Sequence, residues 1–343
     1  MIASGNVAGD KNMGSAIDFR KRVIERVGAE KFAEYTYSNI HVDAMLSQFS
    51  IAYKQAGFIA ERVLLPVKVK KKSDKYPVWG RENFQVPQTL RASGAKANIV
   101  KQSLSNDSYF CEEHALKTFV TKDERENQDD GLRLEEAAVA FVTQLIQLRK
   151  ELKANALLFT AANYPAASKT DISGTQWNNN ANTPFRNIKT AMRAVARLCG
   201  KLPNTIIIPG EVMDVLEEHD DFLDRTKYSS RDALTSDILA NLLRLAPGGP
   251  GVVIGESVQN TEQEGETEVM ADIWNSHVLV AYIDPNPALE TQTLGVGFTT
   301  SDGRETRRWM EEETDNDWFQ VLENYDHKLV STQCGHLLTD VVA

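Results

Sequence analysis

One long helical pattern constrains the fold of this 343-residue chain more than any other feature. The segment LRLEEAAVAFVTQLIQLRKELKANALLFT repeats apolar residues at helical spacing, among them Leu134, Phe141, Leu145 and Leu152. Most of its other residues are strong helix formers, and a pair of aspartates just before it can cap its start. A helix of roughly 25 residues is about 40 Å long. The pattern therefore predicts a spine helix over residues 130–158, and the core must be built along it.

The region before this helix has the opposite character. Lysines alternate with Val67 and Val69, which is typical of a strand, and nearby prolines place that strand at an edge. Residues 85–106 are rich in Ser, Ala, Gly and Asn, and a second strand pattern follows at residues 108–120. Two strands joined by such a tip predict a long hairpin with too little apolar surface to fold alone.

Helices and strands alternate after the spine helix, and a polar stretch typical of turns, residues 165–184, separates them from it. The helical patterns end at Gly or at the run APGGPG, and the strand patterns are β-branched. These signals predict helices over residues 187–199, 211–219 and 230–245, and strands over residues 204–208, 251–258 and 269–282.

The last fifty residues read as a meander of strands. Residues 294–300 and 304–310 flank Ser301-Asp302-Gly303, a hairpin-turn signal. Residues 318–323 and 328–332 flank a second predicted turn. We therefore expect two short hairpins at the C-terminal end.

Composition places the chain among ordinary folded proteins. Hydrophobic residues make up 42% and charged residues 25%, which argues against disorder and against fibrous folds. No apolar run is long enough to span a bilayer, and the first residues lack a secretory signal, so we expect a cytosolic chain without a membrane partner. Three widely spaced cysteines fit neither a disulfide framework nor a zinc pattern, so we expect reduced thiols.

The net charge of -10 argues against a dedicated nucleic-acid binder. The charge is uneven, because residues 1–110 hold 17 Lys and Arg against 10 Asp and Glu, while residues 111–343 hold 21 against 38. Two interpretations stay open. The difference is chance variation in solvated faces, or the basic N-terminal part lies across the acidic body of a neighbouring copy.

The sequence patterns that resemble catalytic or metal sites each have a simpler structural explanation. The glycines of APGGPGVVIG follow a predicted helix and lack the lysine of a phosphate loop, so they predict a turn. Cys111, Glu112, Glu113 and His114 are consecutive on a predicted strand, where neighbouring side chains point to opposite faces and cannot share one metal ion. No G-x-S-x-G motif is present. We expect neither an enzyme nor a cofactor or metal site.

The densest basic run lies in the predicted hairpin, with two aromatic residues close behind it. One interpretation is a nucleic-acid ribbon with stacking groups, and another is a solvated strand edge whose lysines prevent unwanted pairing. The third is docking of one subunit on another. On that hypothesis the candidate subunit-interface residues are Lys68, Lys70, Lys71, Lys72, Tyr76 and Trp79.

Three segments, in their order and spacing, carry a family resemblance. They are KLPNTIIIPGEVMDVLEEH, then GVVIGESV with MADIWNSHVLVAYIDP, then GVGFTTSDGRETRRWMEE with NDWFQVLENYDHKLV. With the long helix and hairpin, they resemble the tailed-phage major capsid proteins of the Hong Kong 97-like fold, over about nine tenths of the chain.

The resemblance implies an α+β fold with five parts. They are an N-terminal arm (residues 1–60), an extended β-hairpin loop (61–122), a peripheral domain with the spine helix (123–185), an axial domain (186–290) and peripheral strands (291–343). The implied function is self-assembly into hexamers and pentamers that form an icosahedral shell around double-stranded DNA. The implied location is the virion, after an earlier period in the host cytoplasm.

The resemblance also suggests partners and leaves two alternatives. Only a short polar leader precedes the arm, so a separate scaffolding protein is expected, together with a portal protein and a decoration protein. No specific DNA contact is expected. One alternative is an encapsulin, a compartment shell of the same fold that encloses enzymes, and the other is a soluble two-domain enzyme.

Overall fold

A computed structural model describes residues 41–42, 57–79, 86–91, 93–94, 96–100, 104–127, 134–226, 234–262 and 267–343. Most of the predicted arm, residues 1–60, and the aspartates before the spine helix lie outside this part of the chain. Within it, no helix is both long enough and apolar enough to cross a membrane.

The described elements are numbered along the chain. The helices are α1 (Ala60–Val63), α2 (Lys122–Glu126), α3 (Leu134–Leu158), α4 (Pro184–Cys199), α5 (Gly210–Glu218), α6 (Asp220–Thr226) and α7 (Ser236–Leu243). The strands are β1 (His41–Val42), β2 (Pro66–Val69), β3 (Ser73–Trp79), β4 (Leu104–Phe110), β5 (Glu112–Thr121), β6 (Lys169–Asp171), β7 (Thr205–Pro209), β8 (Gly251–Gly255), β9 (Val258–Asn260), β10 (Met270–Asp272), β11 (Val278–Ala281), β12 (Gly295–Glu311), β13 (Asn316–Leu329) and β14 (Gly335–Thr339).

The first of two five-stranded sheets, the long-stranded sheet, has the order β1-β12-β13-β5, with β2 parallel to β12. Strands β12 and β13 form one antiparallel hairpin of 17 and 14 residues, longer than most strands in globular proteins. Helix α3 packs along β13 and β5, where Val139, Val142 and Ile146 meet Phe319 and Val321 in one apolar cluster. The predicted spine helix is confirmed, and it covers one face of this sheet.

The second sheet, the compact sheet, has the order β6-β14-β11-β7-β8. Every residue of β7, β11 and β14 is buried, which fits their short runs of apolar residues. Helix α4 contributes Ile188 and Val195 to the same large core, which also holds Leu158 at the end of the spine helix. One continuous apolar cluster therefore joins the compact sheet to its helices and to the spine.

The alternating region follows its predicted order. Helices α4, α5 and α7 and strand β7 lie where the sequence indicates, with boundaries shifted by a few residues at most ends. The two longer predicted strands are each broken, giving β8 with β9 and β10 with β11. The glycine-rich run after α7 is a turn, as predicted; a Cβ on Gly249 would lie 2.4 Å from the Asn204 side chain, so the turn packs tightly.

Both predicted C-terminal hairpins are wrong. Residues 301–303 lie inside the single strand β12, and the pairing register shifts there between Thr299 and Arg304. Gly303 has φ 64°, so the Ser-Asp-Gly signal marks a bulge and not a turn. Strand β13 also runs unbroken through the second predicted turn, and the actual turn is at residues 312–315.

The predicted hairpin exists but is shorter than residues 61–122. Strands β3 and β4 pair with each other from Ser73↔Phe110 to Trp79↔Leu104. Strand β2 pairs instead with β12, and β5 pairs with β13, so both belong to the long-stranded sheet. The hairpin thus rises between two strands of that sheet.

Candidate assembly site

The base of the β3–β4 hairpin packs on its own chain through two tyrosines. Tyr109 stacks on Phe298 of β12 with 4.5 Å between ring centroids, and Tyr76 meets the same ring at 5.3 Å. Tyr76 is only 1% exposed and lies in an apolar cluster with Val67 and Val69 of β2. The hairpin therefore leaves the body from a fixed, well-packed root.

Polar contacts hold the same root in register. The Tyr76 hydroxyl donates to Asp107 across the hairpin at 3.0 Å, and the backbone N–H of Phe110 donates to Asp326 of β13 at 2.9 Å. Burial, followed by the hydrogen bond to Asp107, raises the pKa of Tyr76, which keeps the phenol protonated as a donor. Since these bonds join β3, β4 and β13, the direction of the hairpin is set by the sheet.

The predicted interface lysines lie around this root. Lys68, on β2, and Lys70 are exposed and form no ion pair with a described residue. Lys71 pairs with Asp74 at 3.0 Å, and Lys72 pairs with Glu113 at 3.4 Å, both at exposed positions where such pairs contribute little stability. All four cations are therefore accessible from outside the subunit.

The two aromatic residues of the predicted interface differ from the lysines. Tyr76 is turned into its own subunit, so its ring is unavailable for a neighbour or for stacking on nucleic acid. Trp79 is the last residue of β3, at the start of the tip. Its proposed contact with a neighbour stays a prediction.

The far part of the hairpin exposes apolar side chains. Val86, Leu90, Ile99 and Val100 are 94%, 84%, 88% and 68% exposed, respectively. Four large apolar side chains exposed within fifteen residues are unusual on a solvated surface and indicate an interaction surface. The sequence predicted a tip rich in Ser, Ala, Gly and Asn with little apolar surface, and these four apolar residues were not among the predicted interface residues.

Below the root, buried charges join the spine helix to the long-stranded sheet. Lys150 of α3 bonds to Glu323 of β13 at 2.6 Å and to Glu61 of α1 at 2.9 Å. Arg304 of β12 reaches the second oxygen of Glu323 at 3.1 Å. These cations hold the pKa of Glu323 below its usual value although burial opposes the charge. Four elements are therefore tied at one point beneath the hairpin.

The next spine residue, Glu151, binds the segment that enters from the arm. One carboxyl oxygen accepts a hydrogen bond from the Ala60 backbone N–H at 2.6 Å, at the start of α1. Burial raises the pKa of Glu151 to about 7. This group therefore titrates near neutral pH, at the junction of arm, spine and sheet.

The residues Glu112 and His114, which were considered above as metal ligands, have a different role. His114 and Glu112 share a face of β5, and Lys153 of the spine helix lies 2.9 Å from both Glu112 Oε2 and His114 Nε2. Burial, with Lys153 next, lowers the pKa of His114, so the neutral ring accepts from the lysine. Among the described residues, no group of three or more His, Cys, Asp or Glu side chains could hold a metal ion.

Comparison with known proteins supports a shell role. The chain is 29% identical over 244 residues to the major capsid protein of Burkholderia phage BcepMu, covering 71% of this chain and 76% of the relative. It is 27% identical over 247 residues to the major capsid protein of Pseudomonas phage JBD67, covering 71% and 77%. No protein-family model matches the chain.

Solved structures give the same architecture. A phage-related protein from Bordetella bronchiseptica RB50 superposes with a TM-score of 0.73 at 21% identity, covering 89% of this chain and 98% of that one. The capsid of Cyanophage P-SCSP1u superposes with a TM-score of 0.52 at 12% identity, covering 84% and 89%. Spine helix, extended hairpin and two sheets together define a viral shell protein of the Hong Kong 97-like α+β fold.

The chain is similar in sequence and in fold to the major capsid proteins of tailed phages, and its function is that of a major capsid protein. It is a structural component of the virion that forms homo-oligomers, and it is not an enzyme. The encapsulin alternative has weaker support, because both curated relatives are phage capsid proteins.

Proposed function

We propose that the chain forms hexamers and pentamers that close into an icosahedral shell around double-stranded DNA, with the hairpin tip of each subunit lying on a neighbour. The observation that carries this proposal is the pairing of a rigid root with an exposed apolar tip. Tyr76 and Tyr109 fix the root on Phe298, while Val86, Leu90, Ile99 and Val100 stay uncovered by their own subunit.

The lysines at the root fit the same role. Lys68, Lys70, Lys71 and Lys72 are exposed next to the hairpin, and residues 111–343, which form most of the body, carry 38 acidic against 21 basic residues. A tip that inserts apolar side chains and a root that presents cations would match an acidic neighbouring body. We therefore keep the four lysines, and Trp79, as proposed interface residues.

We also propose a division of the chain into domains. Residues 1–60 form the arm, 123–185 the peripheral domain with the spine, and 186–290 the axial domain. The loop proper is narrowed from 61–122 to 73–110, because β2 and β5 pair into the long-stranded sheet. Residues 291–343 are peripheral strands up to β13, whereas β14 belongs with the compact sheet.

Proposed partners complete the assembly. A separate scaffolding protein would guide closure, a portal protein would occupy one vertex, and a decoration protein would bind the outside of the shell. The DNA would be enclosed without sequence-specific contacts, since the acidic body repels phosphates. Before assembly, the subunits would stay in the host cytoplasm.

The decisive experiment removes the apolar side chains of the tip without shortening it. Val86, Leu90, Ile99 and Val100 are changed together to serine, and particles are counted by electron microscopy and sedimentation. The matched control changes the exposed Val258 and Met270 of the β9–β10 hairpin to serine. We expect the tip variant to remain folded but to lose particles, and the control to assemble normally. Normal particles from the tip variant would contradict the proposed docking.

A further inference from the structure

A basic cavity opens beside helix α4, away from the hairpin and the spine. It has a volume of about 390 Å³ and is lined by four cationic side chains, Lys189, Arg193 and Arg197 of α4 and Arg244 at the end of α7. Residues 111–343 carry a large excess of acidic groups, so a cluster of cations in this part of the chain is exceptional.

Among the described residues, the cations of this cavity have no anionic partner. Arg193, Arg197 and Arg244 are exposed, and none forms an ion pair with a described acidic residue. Lys189 donates to the carbonyl oxygen of Leu243, and burial, with Arg244 next, lowers its pKa. The C-terminal ends of α4 and α7 offset about half a charge each, against four cations. Within the part of the chain that the structure describes, the cluster therefore carries more positive charge than its surroundings neutralise.

Backbone strain accompanies the cluster. Arg244 follows α7 in the left-handed conformation, with φ 53°, at a position where glycine or asparagine is usual. An arginine is strained in this conformation, whereas a glycine is not. Such strain is commonly found where a side chain serves binding.

The floor of the cavity indicates what kind of anion fits. Met192, Pro203 and Leu243 line it, and Leu202 at its rim is 67% exposed. A concave site with an apolar floor and a cationic rim suits a peptide that carries carboxylates around an apolar side chain. A DNA duplex instead needs cations spread along a surface, and the surrounding acidic body would repel it.

Such a segment is present on the chain itself, where α5 meets α6. Glu217, Glu218, Asp220 and Asp224 are all exposed there, and none forms an ion pair with a described residue. Leu223, among them, is 45% exposed. We call these five residues the acidic corner. It combines the negative charge that the cavity lacks with an apolar side chain that can pack on the apolar floor of the cavity.

We propose that the basic cavity of one subunit binds the acidic corner of the next copy, as a head-to-tail contact within the ring of subunits. This inference rests on the proposed shell function and specifies one of its contacts. Because cavity and corner are different surfaces, the contact is heterologous and generates a closed ring when the rotation permits. The corner's carboxylates would pair with the arginines, and Leu223 would cover the apolar floor.

Charge reversal in separate subunits tests the contact. A cavity variant carries Arg193→Glu and Arg197→Glu, and a corner variant carries Glu217→Lys and Glu218→Lys, at a helix end where lysine is favourable. Each alone should need an at least about tenfold higher subunit concentration to assemble. An equal mixture should recover hexamers, because the two variants can alternate around an even-numbered ring so that each reversed cavity meets a reversed corner and each native cavity a native corner. A ring of five subunits keeps one mismatched contact.

Matched double variants control for charge number. Arg62→Glu with Arg186→Glu removes two exposed arginines outside the cavity, and Glu262→Lys with Glu268→Lys reverses two exposed acids outside the corner. Both should assemble like the native protein, and circular dichroism should show all variants folded. Sedimentation and electron microscopy measure assembly.

Three results would overturn the inference. They are normal assembly of the cavity variant alone, a mixture that forms no hexamers although both variants are folded, or a cavity variant that assembles normally but retains less DNA, which would make the cavity a nucleic-acid site. If the native chain forms no particles at all, the proposed shell function fails and this contact fails with it. Native particles alongside any of the three results would overturn only the contact.

Discussion

The two five-stranded sheets of this protein are stabilised by different interactions. Strands β7, β11 and β14 of the compact sheet are buried at every residue and belong to one large apolar core. The long-stranded sheet has a smaller apolar cluster under the spine helix, and it buries charged groups such as Glu323 and Asp317. The compact sheet is packed in one large apolar core, whereas the long-stranded sheet combines two smaller apolar clusters with buried ion pairs.

This difference suits a shell subunit. Apolar packing is non-directional and gives stability, whereas paired charges have fixed geometry and give direction. The hairpin leaves from the long-stranded sheet, between β2 and β5, where direction decides which neighbour it meets. We infer that the compact sheet stabilises the subunit while the long-stranded sheet aims the parts that assemble.

The largest expected effect comes from breaking the compact sheet. Ile207 is fully buried on β7, so Ile207→Ala should lower the free energy of unfolding by about 4 kcal/mol through lost burial and a cavity. Urea unfolding of unassembled subunits measures this. The graded control Ile207→Val should cost about 1 kcal/mol. Equal effects of the two variants would mean that this core relaxes around a cavity and is not rigidly packed.

A somewhat smaller loss is expected from the charge network of the long-stranded sheet. Lys150→Met leaves Glu323 with Arg304 as its remaining close cation, which should cost about 3 kcal/mol. The control Lys153→Met lies one turn along the same helix and breaks a pair with the exposed Glu112, at a cost below about 1 kcal/mol. Similar losses from both would show that the buried pair has no special weight in orienting the sheet.

The junction of the two regions should respond to pH. The pKa of Glu151 is about 7 in the folded chain, against an ordinary 4.5, so the folded state holds the extra proton between those values. Stability from this group is therefore greatest below about pH 4.5 and falls as pH rises to about 7. Glu151→Gln removes this dependence, and the stability difference between variant and native chain should change by on the order of 3 kcal/mol from pH 4 to pH 8.

The pH dependence of stability in the same experiment also contains a contribution from His327. Burial lowers the pKa of His327 to about 3, so its contribution is lost as pH falls from 6.5, opposite to that of Glu151. Both proteins contain His327, and its effect cancels in the difference between their unfolding curves. A difference that stays flat from pH 4 to pH 8 would contradict the raised pKa of Glu151.

The sequence predicted most of the elements whose signals are local. The spine helix, the helices α4, α5 and α7 and the strand β7 follow from periodicity within one segment, whereas α6 was not predicted. The polar stretch of residues 165–184 was expected to hold only turns, yet it contains β6 and the fully buried Trp177. Strand β6 forms because it pairs with β14, more than 160 residues later, which no local pattern reveals.

The site was less predictable for the same reason. The lysine run was visible in the sequence, but Tyr76 is buried by Phe298, more than 220 residues away, and this could not be seen locally. The basic cavity needs Arg244 beside α4, a proximity created only by the packing of α7. Long-range packing thus decides which residues of a local motif face outward.

The smallest predicted effect concerns the bulge in β12, where a turn had been expected. Gly303 has φ 64° and open space around its α-carbon, so Gly303→Ala meets no clash and pays only for a left-handed backbone, about 1 kcal/mol. The control Gly174→Ala also meets open space but lacks a positive φ, and it should be neutral or slightly stabilising. Thermal unfolding separates the two. If Gly303→Ala leaves the unfolding temperature unchanged, the bulge relaxes easily. The long-stranded sheet would then fix the direction of the hairpin less tightly than its buried charges indicate.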